Sequence, residues 1–414
     1  MDAVIVAVFT ATYLGMALGR IPGLKVDRTG LALMALVALL ASGAVEVSAI
    51  GKAIDLPTLL LLFALMIVSA QFGAARFYDW VAGRLAGASG SPQHLLLLVV
   101  VVAGTLSAIL ANDIIAFAVT PVLAEGTRRR GLDPRPFLIG LAGACNAGSA
   151  MTVIGNPQNI LIGQMGGLDF WRFLGVCAPP GVASLAIVYL VVRWRWKAAL
   201  AGRPVSTAAA PVAAPDGWQT AKGIVALVLL AGLFATPVPR DIGALVIAAL
   251  LLASRKLASR DMIGAVDWHL LLLFTCLFVI TQRFSSLGLA ADGMAWLAAH
   301  RALPDNLAVM TPLLAAMSNT IGNVPAVILI LSVWPHPPVG AFYGLALLST
   351  LAGNLLVLGS MANIIVVERA AGAGVRLGFL DHARSGVPMT ILSMAVAAAW
   401  LALTGRMPLL AFGG

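Results

Sequence analysis

Apolar residues gather into twelve runs along the chain. Six lie near residues 3–19, 29–50, 56–72, 95–124, 137–165 and 172–193, and six more near 221–235, 241–254, 268–282, 307–334, 340–367 and 386–404. A run of about twenty apolar residues matches a helix crossing the ~30 Å hydrocarbon core of a bilayer. Between the two sets lies RPVSTAAAPVAAPDGW (203–218), rich in Ala and Pro, which reads as a flexible linker. The pattern predicts a first half over 1–197, a linker over 198–218 and a second half over 219–414.

The halves align. LLLLFALMIVSAQF falls on LLLLFTCLFVITQR at an offset of 211, which sets Gln71 on Gln282 and Asn112 on Asn323. Further on the offset shortens to 204, where GNPQNILIG meets GSMANIIVV and pairs Gly155 with Gly359 and Asn159 with Asn363. Order is preserved and polar positions coincide, which predicts an internal repeat.

The fourth run of each half decides the topology. As one helix, 95–124 would be roughly 45 Å long, too long for a single crossing. Broken at Asn112 it leaves two arms too short to cross, which predicts a re-entrant hairpin. Loop charge tests this, because Lys and Arg concentrate on the cytoplasmic side. With both fourth runs re-entrant, twenty of the 26 Lys and Arg fall on one side and six on the other; with both crossing, the split is twelve against fourteen. The predicted fold is an all-α polytopic membrane protein of two inverted-topology repeats. Each has five transmembrane crossings, one re-entrant hairpin (about 95–124 and about 304–334) and one broken helix (about 137–165 and about 340–367). Both termini are then expected outside the cytoplasm. Inverted repeats with discontinuous helices at the midplane are an architecture of secondary transporters.

Composition agrees with a membrane chain. Of 414 residues 60% are hydrophobic and 10% charged, with a mean hydropathy of +0.98. The net charge of +9 follows from basic cytoplasmic loops, and no basic run interleaved with aromatics points to nucleic acid. VIVAVFTATYLGMAL near the start lacks a basic flank and reads as a retained span. Cys145, Cys177 and Cys276 lie far apart in apolar surroundings and read as packing residues, neither a disulfide frame nor a zinc site. No metal or other cofactor is expected.

Four polar interruptions stand out: LANDII (110–115), NAGSAMTVIGNPQN (146–159), MSNTIGNVP (317–325) and GNLLVLGSMAN (353–363). A helix broken by Gly, Pro and Asn leaves unpaired N–H groups at one end and unpaired C=O groups at the other. The first suit anions or polar oxygens and the second suit cations or protonated ligands. Asp113 is the one acidic residue placed at membrane depth, and a carboxyl there is suited to carrying a proton. The five histidines fall near segment ends and read as interface anchors. No H-E-x-x-H is present, and no histidine is placed to activate Ser360, so an enzyme is not expected.

At these interruptions the chain resembles the ion transporter superfamily, which includes arsenite permeases, NhaD-type Na⁺/H⁺ antiporters, citrate carriers and divalent anion:sodium symporters. SNTIGNVP is similar to that superfamily's S-N-T hairpin tip. TVIGNPQNILIG is similar to the G-N-P-x-N stretch of the arsenite permease branch, and AVDWHLLLLF to the entry of the segment before its second hairpin. The resemblance implies an elevator mechanism, a homodimer in the bilayer, and a small-molecule or ion substrate coupled to H⁺ or Na⁺. Carried over by residue, it implies that Asn112, Asp113, Asn156 and Asn159 line one half of the site. Ser318, Asn319, Thr320, Asn323, Ser360 and Asn363 would line the other. The first tip reads A-N-D where the dicarboxylate symporters carry a second S-N-T. A fixed anion there repels a di- or trianion but tolerates a neutral hydroxide.

The expectation is a secondary transporter of the bacterial inner membrane, exporting arsenite, antimonite or a related small oxyanion against protons, with Asp113 as the proton-coupling residue. The alternatives are a proton- or sodium-coupled carrier of carboxylates or inorganic anions, a Na⁺/H⁺ antiporter, and a channel.

Overall fold

A computed structural model describes residues 1–18, 25–201, 213–334 and 336–410. In the first half these form α1 (Asp2–Leu18), α2 (Arg28–Ala41), α3 (Val47–Ala53), α4 (Leu56–Ala74), α5 (Phe77–Ala86), α6 (Pro92–Ile109), α7 (Asn112–Arg129), α8 (Arg135–Ser149), α9 (Pro157–Met165) and α10 (Phe170–Arg195), followed by the single turn α11 (Lys197–Leu200). The second half forms α12 (Gly217–Leu233), α13 (Arg240–Leu252), α14 (Ser259–Gly264), α15 (Trp268–Ser285), α16 (Gly288–Ala299), α17 (Leu307–Thr320), α18 (Asn323–Val333), α19 (Val339–Ala352), α20 (Met361–Gly372) and α21 (Phe379–Leu403). Ten helices of one half thus follow the order of ten in the other. Both series end on their longest member, of 26 and 25 residues.

Local chemistry sets these boundaries. Ser91 accepts from His94 N–H at the start of α6, and Asp267 accepts from Leu270 N–H at the start of α15, each satisfying a donor that the helix leaves free. Between α6 and α7 the chain is extended at Leu110, so no carbonyl ladder passes the break. Between α17 and α18, Gly322 takes φ +97°, a conformation open to glycine and costly for other residues.

The same helices recur in the packing. α2 lies on α15 and α13 on α4; α6 lies on α8 and α17 on α19; α7 meets α20 and α9 meets α18. α10 and α21 pack on each other. Among the described residues five helices, α4, α6, α10, α15 and α21, are long and apolar enough to cross a membrane. The outward faces of α2, α12 and α13 expose Leu33, Met34, Val37, Val225, Val228, Leu229, Val246 and Leu250. So much contiguous apolar surface is costly in water and neutral against lipid.

Several features depart from the hydrophobic pattern. The first helix pair is longer than its apolar run, because the Thr127-Arg128-Arg129 turn stays helical and Arg129 Nε meets Glu125 Oε1 at 2.8 Å. α3, α5, α14 and α16 are short elements that the pattern passes over; α5 is held to α4 by Tyr78 and Ser69, whose hydroxyls lie 2.7 Å apart. Of the predicted linker, 202–212 lie outside the described residues. Asp216 N–H on its far side donates to Ala75 C=O at 2.9 Å. The three cysteines are buried. His382 is buried too, its Nε2 3.1 Å from Asn354 C=O, and not at an interface.

Candidate functional site

Each break between α8 and α9, and between α19 and α20, is closed by one asparagine. Asn159 Nδ2 donates to Ser149 C=O at 3.2 Å and Thr152 C=O at 3.0 Å. Asn363 Nδ2 donates to Gly353 C=O at 2.7 Å and Leu356 C=O at 3.1 Å. Every one of these positions is related by 204 residues, so the same side chain satisfies the same orphan carbonyls in both halves.

The two breaks are also joined to each other. Asn146 on α8 donates to Asn363 Oδ1 at 3.1 Å and to Asn354 Oδ1 at 2.8 Å, and accepts from Ser360 Oγ at 2.8 Å. Its counterpart Thr350 on α19 accepts from Asn156 Nδ2 at 3.3 Å and from Gln158 Nε2 at 3.3 Å. All of these side chains are buried. Asn156 also caps α9, accepting from Asn159 N–H at 2.9 Å. A buried polar network is stable only when its members are satisfied, and this one joins the halves at their discontinuities.

The helix-pair tips are tied to the breaks beside them. At the first tip, Ala108 C=O accepts from the Thr152 hydroxyl. At the second, Asn319 Oδ1 accepts from Leu356 N–H at 3.1 Å while its Nδ2 donates to Ala352 C=O at 2.8 Å. Ser318 donates to Ser349 C=O at 3.3 Å. The surroundings of Asn323 orient its amide to donate to Gly359 C=O at 2.8 Å and to Ser318 Oγ and Ser349 C=O at 3.2 Å.

The ten sequence-predicted residues therefore divide. Asn156, Asn159, Ser318, Asn319, Asn323, Ser360 and Asn363 spend hydrogen bonds on the chain itself. Three make no bond to that network among the described residues. Asn112 is buried, yet its Oδ1 has no partner. Asp113 is half-buried and makes no hydrogen bond or ion pair among the described residues. Thr320 is exposed, with its hydroxyl on the carbonyls of its own helix.

Residues that the sequence reading did not single out complete the frame: Asn146, Ser149, Thr152, Thr350 and Asn354. Asn146, Ser149 and Thr152 lie inside the quoted stretch before α9 and Asn354 inside that before α20, and the 204 offset carries Asn146 to Thr350. That offset was the signal that could have found the pair.

Helices α7, α9, α18 and α20 all begin at an interruption. No side chain caps α7 or α18, so their first N–H groups and dipoles are directed at the tips, an arrangement suited to polar oxygens or anions. Two clefts run beside the tip helices at matching positions. One of about 640 Å³ is lined by Ser69, Ala70, Phe117, Lys256 and Asp261 and reaches Ile114, next to Asp113. The other, of about 400 Å³, is lined by Asp55, Gln164, Thr281, Gln282 and Ile328.

Comparison with known proteins agrees with this architecture. The 46 kDa membrane protein of Mycobacterium leprae is 28% identical, over 97% of this chain and 98% of that protein. The silicon efflux transporter LSI3 of Oryza sativa subsp. japonica is 26% identical, over 91% of this chain and 92% of that protein. The crystal structure of the YdaH transporter of Alcanivorax borkumensis matches with a TM-score of 0.60 at 16% identity, covering 99% of this chain and 98% of that one. At that identity the likeness is one of fold. The profile of the citrate transporter family (CitMHS) matches residues 13–337. The chain belongs to that family within the wider ion transporter superfamily, and is a multi-pass membrane transporter.

Proposed function

We propose that this transporter is a proton-coupled secondary carrier exporting a small oxygen-rich solute, with arsenite, antimonite or a related oxyanion as first candidates. The observation that carries the reading is Asp113. It stands at the first tip, beside the unpartnered Oδ1 of Asn112 and the uncapped start of α7, with no partner among the described residues. An acidic group left unpaired there is free to exchange a proton with its surroundings, and the cleft that reaches Ile114 supplies a path.

The rest of the mechanism follows from the paired halves. Each half contributes five crossings and one re-entrant hairpin, and the second half is inserted upside down, so the two clefts face opposite sides of the membrane. The core of tips and breaks moves as one body past the packed pairs α2–α15 and α4–α13, as in an elevator, within a homodimer of a bacterial inner membrane. The network that joins the breaks supports this, because it holds the four interruptions as a unit. The rice relative's name, a silicon efflux transporter, adds support for efflux. The family's description favours a second reading, a coupled carboxylate carrier.

The test is reconstitution. Vesicles holding the purified chain are expected to take up arsenite when a pH gradient is imposed, and Asp113→Asn is expected to remove the gradient-driven part. Vesicles that ignore arsenite and exchange citrate would move the chain to the second reading.

A further inference from the structure

Arg28 opens α2, half-buried, and its guanidinium lies against the second tip: a Cβ on Gly322 would stand 2.9 Å from Nη1. Among the described residues it joins none of the four ion pairs. Its counterpart Arg240 opens α13, and there the charge of Asp169 acts on the guanidinium. A cation withdrawn from water without a partner is costly, and this one is held where no side chain caps the first turn of α18. The φ of +97° at Gly322 keeps a side chain out of the guanidinium's place.

The first tip borders the same region. Thr29 Oγ1 donates to His269 C=O at 3.4 Å, tying the start of α2 to the start of α15. Asp267 caps α15 on the same side of that bond. A cation and a carboxyl, neither in an ion pair among the described residues, thus stand one at each tip: Arg28 against Gly322 and Asp113 at the start of α7.

We infer that Arg28 holds a negatively charged oxygen of the solute at the second tip, so that the bound form is a singly charged oxyanion and not a neutral hydroxide. This rests on the reading that the tips hold the solute. An anion leaving in exchange for an entering proton makes export respond to both membrane voltage and pH gradient.

The test is the pH dependence of the arsenite KM in proteoliposomes. Each pH unit below the pKa of arsenous acid changes the anionic fraction roughly tenfold. The wild-type KM is expected to fall by about that factor from pH 7 to pH 8, and chlorate, a pyramidal monoanion, is expected to compete. Arg28→Gln is expected to raise the KM by tenfold or more and to abolish both the pH dependence and chlorate competition. Arg28→Lys keeps the charge and is expected to retain competition, which separates a binding role from a folding defect. Arsenite transport with a KM indifferent to pH and to Arg28→Gln would overturn this inference alone. No arsenite movement by the wild type would overturn the arsenite reading, and the inference with it.

Discussion

At the residue scale, the asparagines do two different jobs. Asn159 and Asn363 each donate to two of the carbonyls that their breaks leave free, with Asn156 also serving Ser149 C=O. Their amides belong to the frame. A buried carbonyl left unpaired costs about 1–3 kcal/mol, so Asn159→Ala, which strips Thr152 C=O, and Asn363→Ala, which strips Gly353 and Leu356 C=O, are expected to lower the melting temperature of the detergent-solubilised protein sharply. Thr320→Ala, at an exposed position, is expected to leave it within a degree or two and to act, if at all, on solute affinity. Equal melting temperatures for all three would show that the network is not what holds the breaks.

At the scale of the element, the discontinuities depend on close backbone approach. A Cβ on Gly386 of α21 would stand 2.5 Å from Asn354 C=O and 2.6 Å from Leu355 C=O, so Gly386→Ala must push α21 off the second break. A clash of that kind costs about 1–3 kcal/mol, and thermal unfolding is expected to register it, whereas Gly232→Ala, with open space around it, is expected to be neutral. The sites of the interruptions were legible in the sequence because Gly, Pro, Asn and Ser are conspicuous inside apolar runs. Their bonding was not, since an asparagine facing a solute and one facing a carbonyl look alike in sequence. α5 and α16 were missed for a different reason. Each is too short to cross a membrane and carries an aspartate, FYDWVAGRLA and GLAADGMAWLAA, so neither reads as a span. Arg28 was counted as a loop charge because a basic residue at the start of a span ordinarily anchors it. Only the approach to Gly322 sets it apart.

For the whole molecule, the twelve runs, the matched halves and the two offsets were readable because polar positions repeat in order. How the halves sit in the bilayer is a proposal that rests on loop charge. The proposed inverted insertion would put α5 on the cytoplasmic side and α16 outside, and both present an exposed aspartate, Asp79 and Asp292. A membrane-impermeant maleimide added to intact cells is expected to label Asp292→Cys and spare Asp79→Cys, with little background from the three buried native cysteines. Labelling of both would remove the inverted arrangement and the opposed clefts.

The most direct measurement follows protons and solute together. Vesicles loaded at acid pH with a fluorescent pH indicator inside, and carrying the purified chain, receive arsenite from outside. Internal pH is expected to rise by more than the one proton that each arsenite anion takes up on release, and Asp113→Asn is expected to remove that excess while isotope exchange of arsenite continues. Arsenite entry with no such excess in the wild type, or an undiminished excess in Asp113→Asn, would contradict proton coupling at Asp113.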